Sequence, residues 1–313
     1  MGQPLRHGLI SLIAGLLLAS CQQHSTVELT ADPTIPTRAV EHVMGTSQVP
    51  VSPKRVVVLD TTPLDAALAL GVDPVGTISY GMPPGYLGKK ASDIEIIGQF
   101  NQPNLEAIFK LKPDLILGAK SISERLYPKL SRIAPTVFIE GAGRSWDWKN
   151  NFLIYADALN RTDQAEQLLA EYEQQLTDLK SSLIPSPNDL TVSVILNGRF
   201  GFIAHTPTSF SGSILQEIGF KRNSTQGNDQ QFFVRLSRED LESPEGDILF
   251  LIHYPNTTSK AEFVSHRLWS QLDVVQRGAV CEVKGEIWAA GRSILAAQQV
   301  LEDVKMCVEV IRN

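Results

Sequence analysis

The chain has 313 residues, of which 43% are hydrophobic and 20% are charged, and these fractions are normal for a globular protein of one or two domains. They exclude a largely disordered chain and a bundle of membrane-spanning helices. The 34 acidic residues outnumber the 28 basic ones and give a net charge of −6, which argues against a nucleic-acid partner.

Residues 1–21 differ in composition from the rest of the chain. Arg6 precedes an apolar run over residues 9–18, which is too short to span a bilayer and has the length of a signal-peptide core. The run ends in Leu-Ala-Ser-Cys at residues 18–21, which resembles the bacterial lipobox, where the leader is cleaved before a Cys that carries lipid. We therefore predict a lipoprotein signal peptide over residues 1–21 and lipidation of Cys21; the alternative is an ordinary leader with an incidental thiol.

Residues 22–50 are predicted to form a flexible tether. The segment contains Pro33, Pro36 and Pro50 among many Ser, Thr and Gln residues, and it shows little apolar periodicity. Because such a composition offers little apolar surface to bury, we expect the segment to be extended or loosely packed.

Strands and helices alternate through residues 51–145, which we predict to be an N-terminal α/β lobe. The apolar, β-branched run at residues 55–59 is typical of a strand buried on both faces. The predicted order is strand 55–59, helix 65–70, strand 75–78, helix 104–111, strand 115–117, helix 126–133 and strand 136–139. This alternation predicts a parallel sheet covered by helices.

A connecting helical segment is predicted over residues 146–186. Its second part starts at Thr162 and has acidic residues in the first turn, where the helix dipole favours them. Apolar residues then recur every three or four positions and make one stripe on a helix about 30 Å long: Leu168, Leu169, Tyr172, Leu176, Leu179 and Leu183. We interpret this helix as a strut between two lobes; the alternative is a crossover helix inside one large domain.

The alternation resumes over residues 187–313, the predicted C-terminal α/β lobe. Strands are expected at 192–196, at 247–252 and near 280 and 287, and helices at 213–218, from 237, around 269 and at 293–311. Glu106 lies eight residues before Asp114, and Glu239 lies eight residues before Asp247. The shared order and spacing predict an α/β protein of two similar lobes with mainly parallel sheets, joined by one long helix and separated by a ligand cleft.

Sequence motifs that would indicate catalysis do not occur. The sequence has no phosphate loop, no dinucleotide fingerprint and no nucleophile elbow, and no two of its histidines have helical ligand spacing. We therefore expect neither an enzyme nor a directly bound metal or cofactor. Asp60 and Asp65 bracket the first strand-to-helix turn, where capping or solvation explains both. Cys281 and Cys307 are expected on neighbouring elements, where they either form a disulfide or remain two buried thiols.

Four stretches of the sequence carry a family resemblance. They are Pro-Lys-Arg-Val-Val-Val-Leu at 53–59, Leu-Ala-Leu-Gly-Val-Asp-Pro-Val-Gly at 68–76, Asn-Leu-Glu-Ala-Ile through Leu-Lys-Pro-Asp-Leu-Ile at 104–116, and the helical region 148–172. From about Pro53 onward the chain resembles the substrate-binding lipoproteins of ABC importers for ferric siderophores, a group that includes relatives binding cobalamin and haem. The order of these stretches is specific to the family, but it does not identify the ligand.

The resemblance implies two docking residues. In this family one exposed Glu on each of two lobes meets Arg residues of the permease, and Glu106, in Asn-Leu-Glu, and Glu239, in Ser-Arg-Glu, match these positions. Paired charges of this kind steer docking and fix its register. The alternative for each is a charge that only stabilises the start of a helix.

Candidate ligand contacts follow from loop position. Ferric siderophores are bulky and often anionic, so their cleft should offer Arg or Lys as charge partners and aromatic rings as flat walls. The loops after the predicted strands offer such residues in both lobes: Tyr80, Lys120, Arg144 and Trp146, then Arg199, His253, Tyr254 and Trp288, with Arg292 beyond. Gly198 would let a ligand approach the backbone next to Arg199, whose alternative is a surface arginine. The alternative for Trp288 is a ring packed in the core.

The sequence thus predicts a monomeric, extracytoplasmic protein that is anchored to the membrane by lipid. It would capture a ferric siderophore or ferric citrate between its lobes and deliver it to an ABC permease. A haem- or corrinoid-binding receptor on the same scaffold is one alternative, and a secreted α/β enzyme is a more remote one.

Overall fold

The computed structural model describes residues 35–79, 84–198, 201–223, 226–227, 230–236, 246–254 and 269–312. The strands are β1 Thr37–His42, β2 Gly45–Pro50, β3 Val56–Val58, β4 Gly76–Ser79, β5 Ile96–Gln99, β6 Gln102–Pro103, β7 Leu115–Ala119, β8 Thr136–Ile139, β9 Thr191–Gly198, β10 Gly201–His205, β11 Lys221–Arg222, β12 Phe233–Leu236, β13 Ile248–His253 and β14 Val280–Lys284. The α-helices are α1 Thr61–Ala69, α2 Gly88–Ser92, α3 Leu105–Lys110, α4 Lys120–Ser123, α5 Tyr127–Leu130, α6 Trp148–Leu159, α7 Thr162–Ser182, α8 Phe210–Ile218, α9 Asp273–Gln276, α10 Gly285–Trp288 and α11 Ile294–Arg312. Short 3-10 helices cover Gly85–Leu87, Glu124–Leu126, Ala142–Asp147, Pro187–Asp189 and Trp269–Gln271.

The first large sheet is parallel except at one edge. Its strands lie in the order β6-β5-β4-β3-β7-β8, and the β5–β6 pair is antiparallel. Every residue of β3 and β7 is buried, because helices cover both faces of the central strands. We call this sheet with its helices the N-terminal lobe.

The second large sheet is mixed, and we call it with its helices the C-terminal lobe. Its strands lie in the order β12-β10-β9-β13-β14, and β11 also pairs with β9. Strands β9, β13 and β14 are parallel, whereas β10 is antiparallel to both of its neighbours. The predicted strand near residue 287 is wrong, since residues 285–288 form α10. A short apolar run such as Ile287 and Trp288 fits a buried helical turn as well as a strand.

The repeated spacing found in the sequence has a physical basis in both lobes. Asp114 lies just before β7, and its two carboxylate oxygens accept the N–H groups of Lys54 and Arg55 at 2.7 and 2.8 Å. Asp247 lies just before β13 and accepts the N–H of Thr191 at 2.7 Å. Each aspartate therefore fixes the start of the central strand beside it, β3 or β9.

Helices α6 and α7 follow one another in the chain between the two large sheets. Helix α6 ends at Leu159 and is capped by Asn160, which has a left-handed backbone with φ 54°; α7 then runs for 21 residues. Residues Ala165, Tyr172, Leu176 and Leu179 of α7 are buried, which confirms the predicted stripe. The mixed α/β fold with one long connecting helix is therefore the fold expected from the sequence.

One continuous hydrophobic core extends through both lobes and the connecting helices. The fully buried ring of Trp148 in α6 meets Tyr172 edge-on at 5.0 Å and Phe210 of α8 at 6.1 Å. The same core includes Val56 in the N-terminal sheet and Trp288 in the C-terminal lobe. Because the two lobes share this packing, a wide separation of the lobes would expose apolar surface.

The prediction of a flexible tether is wrong for residues 37–50. Strands β1 and β2 form an antiparallel hairpin whose residues Val40 and Val49 are fully buried. Ser47 Oγ donates to the carbonyl of Thr136 at 2.9 Å, and Arg38 forms a 2.6 Å salt bridge with Asp157. Tertiary packing at the β8 edge supplies the stability that the polar composition of this segment did not indicate.

Cys281 in β14 and Cys307 in α11 form a disulfide, with Cα atoms 5.8 Å apart. Of the two alternatives left open by the sequence, the structure contains the disulfide and not two free thiols. No helix within the described ranges combines the length and the apolarity needed to cross a membrane.

Candidate ligand-binding cleft

A cavity of about 220 Å³ is lined mainly by the C-terminal lobe, and its Arg292 contacts Asp60 of the N-terminal lobe. Aromatic and aliphatic side chains form most of its wall, and polar groups stand at a few positions. The lining residues are Ser145, Leu196, Ile203, His205, Ser209, Phe210, Phe232, Phe233, Trp288, Ala289 and Arg292. An apolar concave wall with a few placed polar groups is typical of a small-molecule site.

Arg292 supplies the guanidinium at this cavity, and an aspartate of the other lobe holds it. Its Nη2 atom lies 3.2 Å from Oδ2 and 3.4 Å from Oδ1 of Asp60, whose side chain is buried. Asp60 also caps α1, because its Oδ1 accepts the N–H of Thr61 at 2.8 Å. The capping role expected for Asp60 is therefore confirmed, and the same carboxylate also forms an ion pair between the lobes.

Asp65 also caps a helix, but that helix is α11 and not α1, in which Asp65 lies. This fully buried carboxylate in α1 accepts the N–H groups of Leu295 and Ala296, each at 3.0 Å, at the start of α11. The hydroxyl of Tyr86 donates to the same carboxylate at 3.0 Å. Burial raises the pKa of Asp65 to about 6, although these three donors and the side chain of Ser293 act in the opposite direction.

His205 presents a neutral imidazole at the cavity wall. Burial, together with the positive charge of Arg222, lowers the pKa of His205 to about 4. Its Nδ1 lies 3.0 Å from Ser211 Oγ, and Arg222 donates to its backbone carbonyl. Burial also lowers the pKa of Arg222 to about 10, so a charged guanidinium lies behind the imidazole at neutral pH.

Trp288 lines the cavity, but its ring is fully buried. The indole N–H donates to Asp303 at 2.8 Å, and the ring lies 4.7 Å from that of Phe250. This placement corresponds to the alternative stated for Trp288, a ring packed in the core of the lobe.

His253 is the last residue of β13 and Tyr254 follows it; neither residue lines this cavity. The Tyr254 ring packs on the backbone of Gly285, where an added Cβ would lie 2.6 Å from two ring atoms. Burial raises the pKa of Tyr254, and the nearby positive charge of Arg292 opposes that rise. His253 is half-buried at the end of its strand.

Lys120 and Trp146 do not line this cavity. Lys120 Nζ lies 3.7 Å from Glu140 Oε2 at the carboxyl ends of β7 and β8. Trp146 is 44% exposed and lies over a separate, shallow depression formed with residues of α8 and the loop before it. Ser145, directly before Trp146 in the sequence, does line the cavity.

Several predicted residues lie outside the described part of the chain, namely Tyr80, Arg199, Glu239 and Cys21. The backbone of Arg144 is described as part of a 3-10 helix, but its side chain is not. Ligand-contact roles for Tyr80, Arg199 and Arg144 therefore remain predictions.

Glu106 is exposed in the first turn of α3, at the surface of the N-terminal lobe. Asn104 caps this helix by accepting the N–H groups of Glu106 and Ala107. The Glu106 side chain is 76% exposed and forms a 2.8 Å salt bridge with Lys110. An exposed pair of this kind adds little stability, so the carboxylate is accessible to a protein partner.

The sequence reasoning missed most of the cavity wall, and two signals could have found part of it. Arg292, which lies beyond Trp288 and was not selected as a ligand contact, follows Gly291 and repeats the Gly-Arg pattern of residues 198–199. The adjacent Phe232 and Phe233, whose rings are 4.7 Å apart, lie in a stretch where no element was predicted. His205 lies at the end of β10, a strand that the sequence analysis did not predict.

Within the described ranges, no group of three or more His, Cys, Asp or Glu side chains is placed to hold a metal ion. The polar groups of the cavity are a guanidinium, an imidazole and hydroxyls. Such a set can donate hydrogen bonds to an anionic ligand.

Comparisons with known proteins agree with this architecture. The family model described as periplasmic binding protein matches residues 56–286. A probable siderophore-binding lipoprotein of Bacillus subtilis, YfiY, is 35% identical over 314 residues and covers 95% of both chains. The Fe(3+)-citrate-binding protein YfmC of the same organism is 31% identical and covers 85% of this chain and 84% of its own. The crystal structure of Staphylococcus aureus SirA complexed with staphyloferrin B has a TM-score of 0.77 at 29% identity and covers 87% of this chain and 99% of that one.

Proposed function

The chain belongs to the periplasmic binding protein family, and we propose that it captures a ferric siderophore or ferric citrate in the interlobe cleft and delivers it to an ABC permease. The observation that carries the proposal is the cavity itself, in which Phe232 and Phe210 provide flat walls and Arg292 provides a cation at the junction of the lobes. Bulky, anionic iron chelates need both kinds of contact. The iron is cargo that arrives inside its chelator, and no resident cofactor is required.

The relatives support the same class of ligand. The probable siderophore-binding lipoprotein and the Fe(3+)-citrate-binding protein match 95% and 85% of this chain. The family consists of binding proteins, so we propose stoichiometric binding without turnover.

The direct test is a titration of tryptophan fluorescence with ferric catecholate, ferric hydroxamate, ferric citrate, haem and cobalamin. Trp288 underlies the cavity, so a ligand there should change its emission. Arg292→Met should weaken binding of the anionic ferric ligand at least tenfold, because a hydrogen bond to a charged group contributes roughly 1.5–3 kcal/mol. Arg277→Met is the matched control, since Arg277 is an exposed arginine of the same lobe with a 2.8 Å salt bridge to Asp273. Equal affinities of both variants and wild type would refute the role of Arg292.

A haem- or corrinoid-binding receptor on the same scaffold is the second candidate. The largely apolar cavity wall, with its paired Phe232 and Phe233 rings, favours it, because a flat macrocycle also packs on aromatic faces. A shift of the haem or cobalamin spectrum, with no response to any ferric siderophore or to ferric citrate, would select this candidate. Chemical conversion of any ligand would instead point to the remote alternative, an α/β enzyme.

We propose that Glu106, and Glu239 on the other lobe, dock the protein on its permease. For Glu106 the support is an exposed carboxylate at the start of α3. Glu106→Arg should reduce uptake of the ferric ligand by cells while leaving its affinity for the purified protein unchanged, because like charges would meet at the contact. Asp73→Arg is the matched control, since Asp73 is also exposed and pairs with a lysine, Lys90, at 3.0 Å. Normal uptake with Glu106→Arg combined with Glu239→Arg would refute the docking role.

We further propose that residues 1–21 are a cleaved leader and that Cys21 carries the lipid anchor, which would place the protein outside the cytoplasmic membrane. Mass spectrometry of the protein from cell membranes should find Cys21 at the N-terminus with added acyl mass. Cys21→Ser should release the protein into the soluble fraction. A mature chain that starts elsewhere would refute lipidation.

A further inference from the structure

Two carboxylates of the N-terminal lobe hold one short segment of the C-terminal lobe. Asp60 contacts the guanidinium of Arg292, and Asp65 accepts the N–H groups of Leu295 and Ala296. The segment they hold is the turn before α11 together with the first turn of that helix. The segment is therefore fixed at both ends by residues from the other lobe.

The turn that carries Arg292 has an unusual backbone. Arg292 has a left-handed φ of 53°, which is uncommon for a residue other than glycine, asparagine or aspartate. Such a conformation persists when the surrounding structure imposes it. The constraint that follows Arg292 in the chain is the start of α11, so the position of this helix determines where Arg292 meets the cavity.

The contact with Asp65 is specific in its geometry. The first N–H groups of a helix have no partner inside the helix, and a carboxylate there is favoured by the helix dipole. Asp65 uses one oxygen for Leu295 and the other for Ala296, both at 3.0 Å. A side chain that is 230 residues away in sequence thus does what a neighbouring serine or aspartate normally does.

We propose that Asp65 is a positioning residue for ligand recognition: by holding the first turn of α11, it places the Arg292 guanidinium at the cavity wall. This inference rests on the proposed function, since Arg292 is taken there as the ligand's charge partner. Asp65 itself is fully buried and does not line the cavity. Its effect on affinity is therefore indirect, and the inference assigns that effect to Arg292.

The main variant is Asp65→Asn, because it preserves size but offers one acceptor oxygen in place of two. Its amide nitrogen would face one of the two N–H donors, so at least one of these hydrogen bonds is lost. Tyr86→Phe is a milder second variant that removes only the hydroxyl donated to Asp65 and preserves the ring. It keeps the inference testable even if Asp65→Asn folds poorly.

Asp114→Asn is the matched control. Asp114 also accepts two consecutive backbone N–H groups, those of Lys54 and Arg55, but both donors belong to its own lobe. A loss of affinity that came only from a weakened helix or strand start would affect this variant in the same way.

The experiment is a double-mutant cycle on the full chain, with ferric citrate and a ferric siderophore as probes and tryptophan fluorescence as the readout. Asp65→Asn should weaken binding about tenfold in wild type and less than twofold in the Arg292→Met background. Tyr86→Phe should show the same pattern with a smaller loss, and Asp114→Asn should change affinity less than twofold. An equal loss in both backgrounds, or no loss in wild type, would overturn the role of Asp65.

Amide hydrogen exchange of the ligand-free protein separates this inference from the proposed function. Asp65→Asn should speed exchange at Leu295 and Ala296, and Asp114→Asn should not. Unchanged exchange at these two amides would overturn the positioning role alone. Wild-type protein that binds none of the ferric ligands would overturn the proposed function, and the role of Asp65 in recognition with it.

Discussion

Two buried groups beside the cleft should respond to acid in opposite directions. The pKa of Asp65 is raised from 3.8 to about 6 by burial, and the pKa of His205 is lowered from 6.5 to about 4 by burial and by Arg222. In the unfolded chain both groups return to their ordinary values. Both therefore link folding to pH over nearly the same range.

Acid stabilises the fold where the folded state binds the proton at higher pH, and it destabilises the fold where the unfolded chain does. As the pH falls through 6, folded Asp65 is protonated before the unfolded chain is, so acid increases the free energy of unfolding by about 2 kcal/mol between pH 7 and pH 4. As the pH falls through 6.5, His205 is protonated first in the unfolded chain, which decreases the free energy of unfolding by about 3 kcal/mol over the same interval. In wild type the two contributions nearly cancel, and single substitutions should reveal each of them.

The assay is urea unfolding at several values between pH 7 and pH 4. Asp65→Asn should lose stability relative to wild type as the pH falls, by about 2 kcal/mol, because it lacks the stabilising proton. His205→Gln should gain stability relative to wild type as the pH falls, by about 3 kcal/mol, because it lacks the histidine whose protonation favours the unfolded chain. Each variant serves as the control for the other. Curves for both variants that run parallel to the wild-type curve would refute the reasoning.

Three further predictions concern packing and the cavity. Replacing Cys281 and Cys307 by serine should lower the free energy of unfolding by about 3.5 kcal/mol for a 26-residue separation, and an unchanged urea midpoint would contradict this. Val40→Ala should lower the free energy of unfolding by about 1.5 kcal/mol, because Val40 is fully buried. An unchanged free energy of unfolding would instead support the predicted flexible tether. Phe232→Ala, at a cavity residue that is 37% exposed, should weaken ligand binding roughly 3- to 10-fold in fluorescence titrations, with the urea midpoint unchanged. Equal affinities of Phe232→Ala and wild type would indicate that the ligand does not contact this part of the cavity.

The parts of the fold that were predictable are those in which local pattern and tertiary role agree. The β-branched run at residues 56–58 is a fully buried strand, and the apolar stripe of α7 faces the core. The spacing of Asp114 and Asp247 was visible as a repeat, and its cause is the hydrogen bond that each makes to the start of a central strand. In these cases the sequence signal and the stabilising contact lie close together along the chain.

The parts that were missed depend on contacts between distant residues. The β1–β2 hairpin is polar in composition and is held by the β8 edge, for example through Ser47 and Thr136. Asp65 lies in α1, shortly after β3, and has the residue type of a local helix cap. Its carboxylate oxygens instead accept hydrogen bonds from the start of α11. No pattern within a window of one helix could assign it to a helix at the other end of the chain.

Local sequence patterns also failed to identify most of the residues that line the cleft. Selecting charged and aromatic residues after predicted strands identified Trp288 at the cavity, but its indole N–H is used by Asp303. Strand β10 was not predicted, so Ile203 and His205, which line the cavity from that strand, could not be placed. The turn with Arg292 follows a helix where a strand had been expected.

The ion pair between Asp60 and Arg292 fits the proposed recognition role better than a role in stability. Taking both charges out of water costs several kcal/mol per ion, and a well-packed apolar pair of similar volume would join the lobes at least as firmly. The continuous core through Trp148 and Tyr172 already connects them. What an apolar pair could not do is present a guanidinium to the cavity in a fixed orientation. Under the proposed function, the polar contacts of Asp60 and Asp65 form a support that orients Arg292 toward an anionic ligand before it arrives, which would reduce the ordering cost of binding.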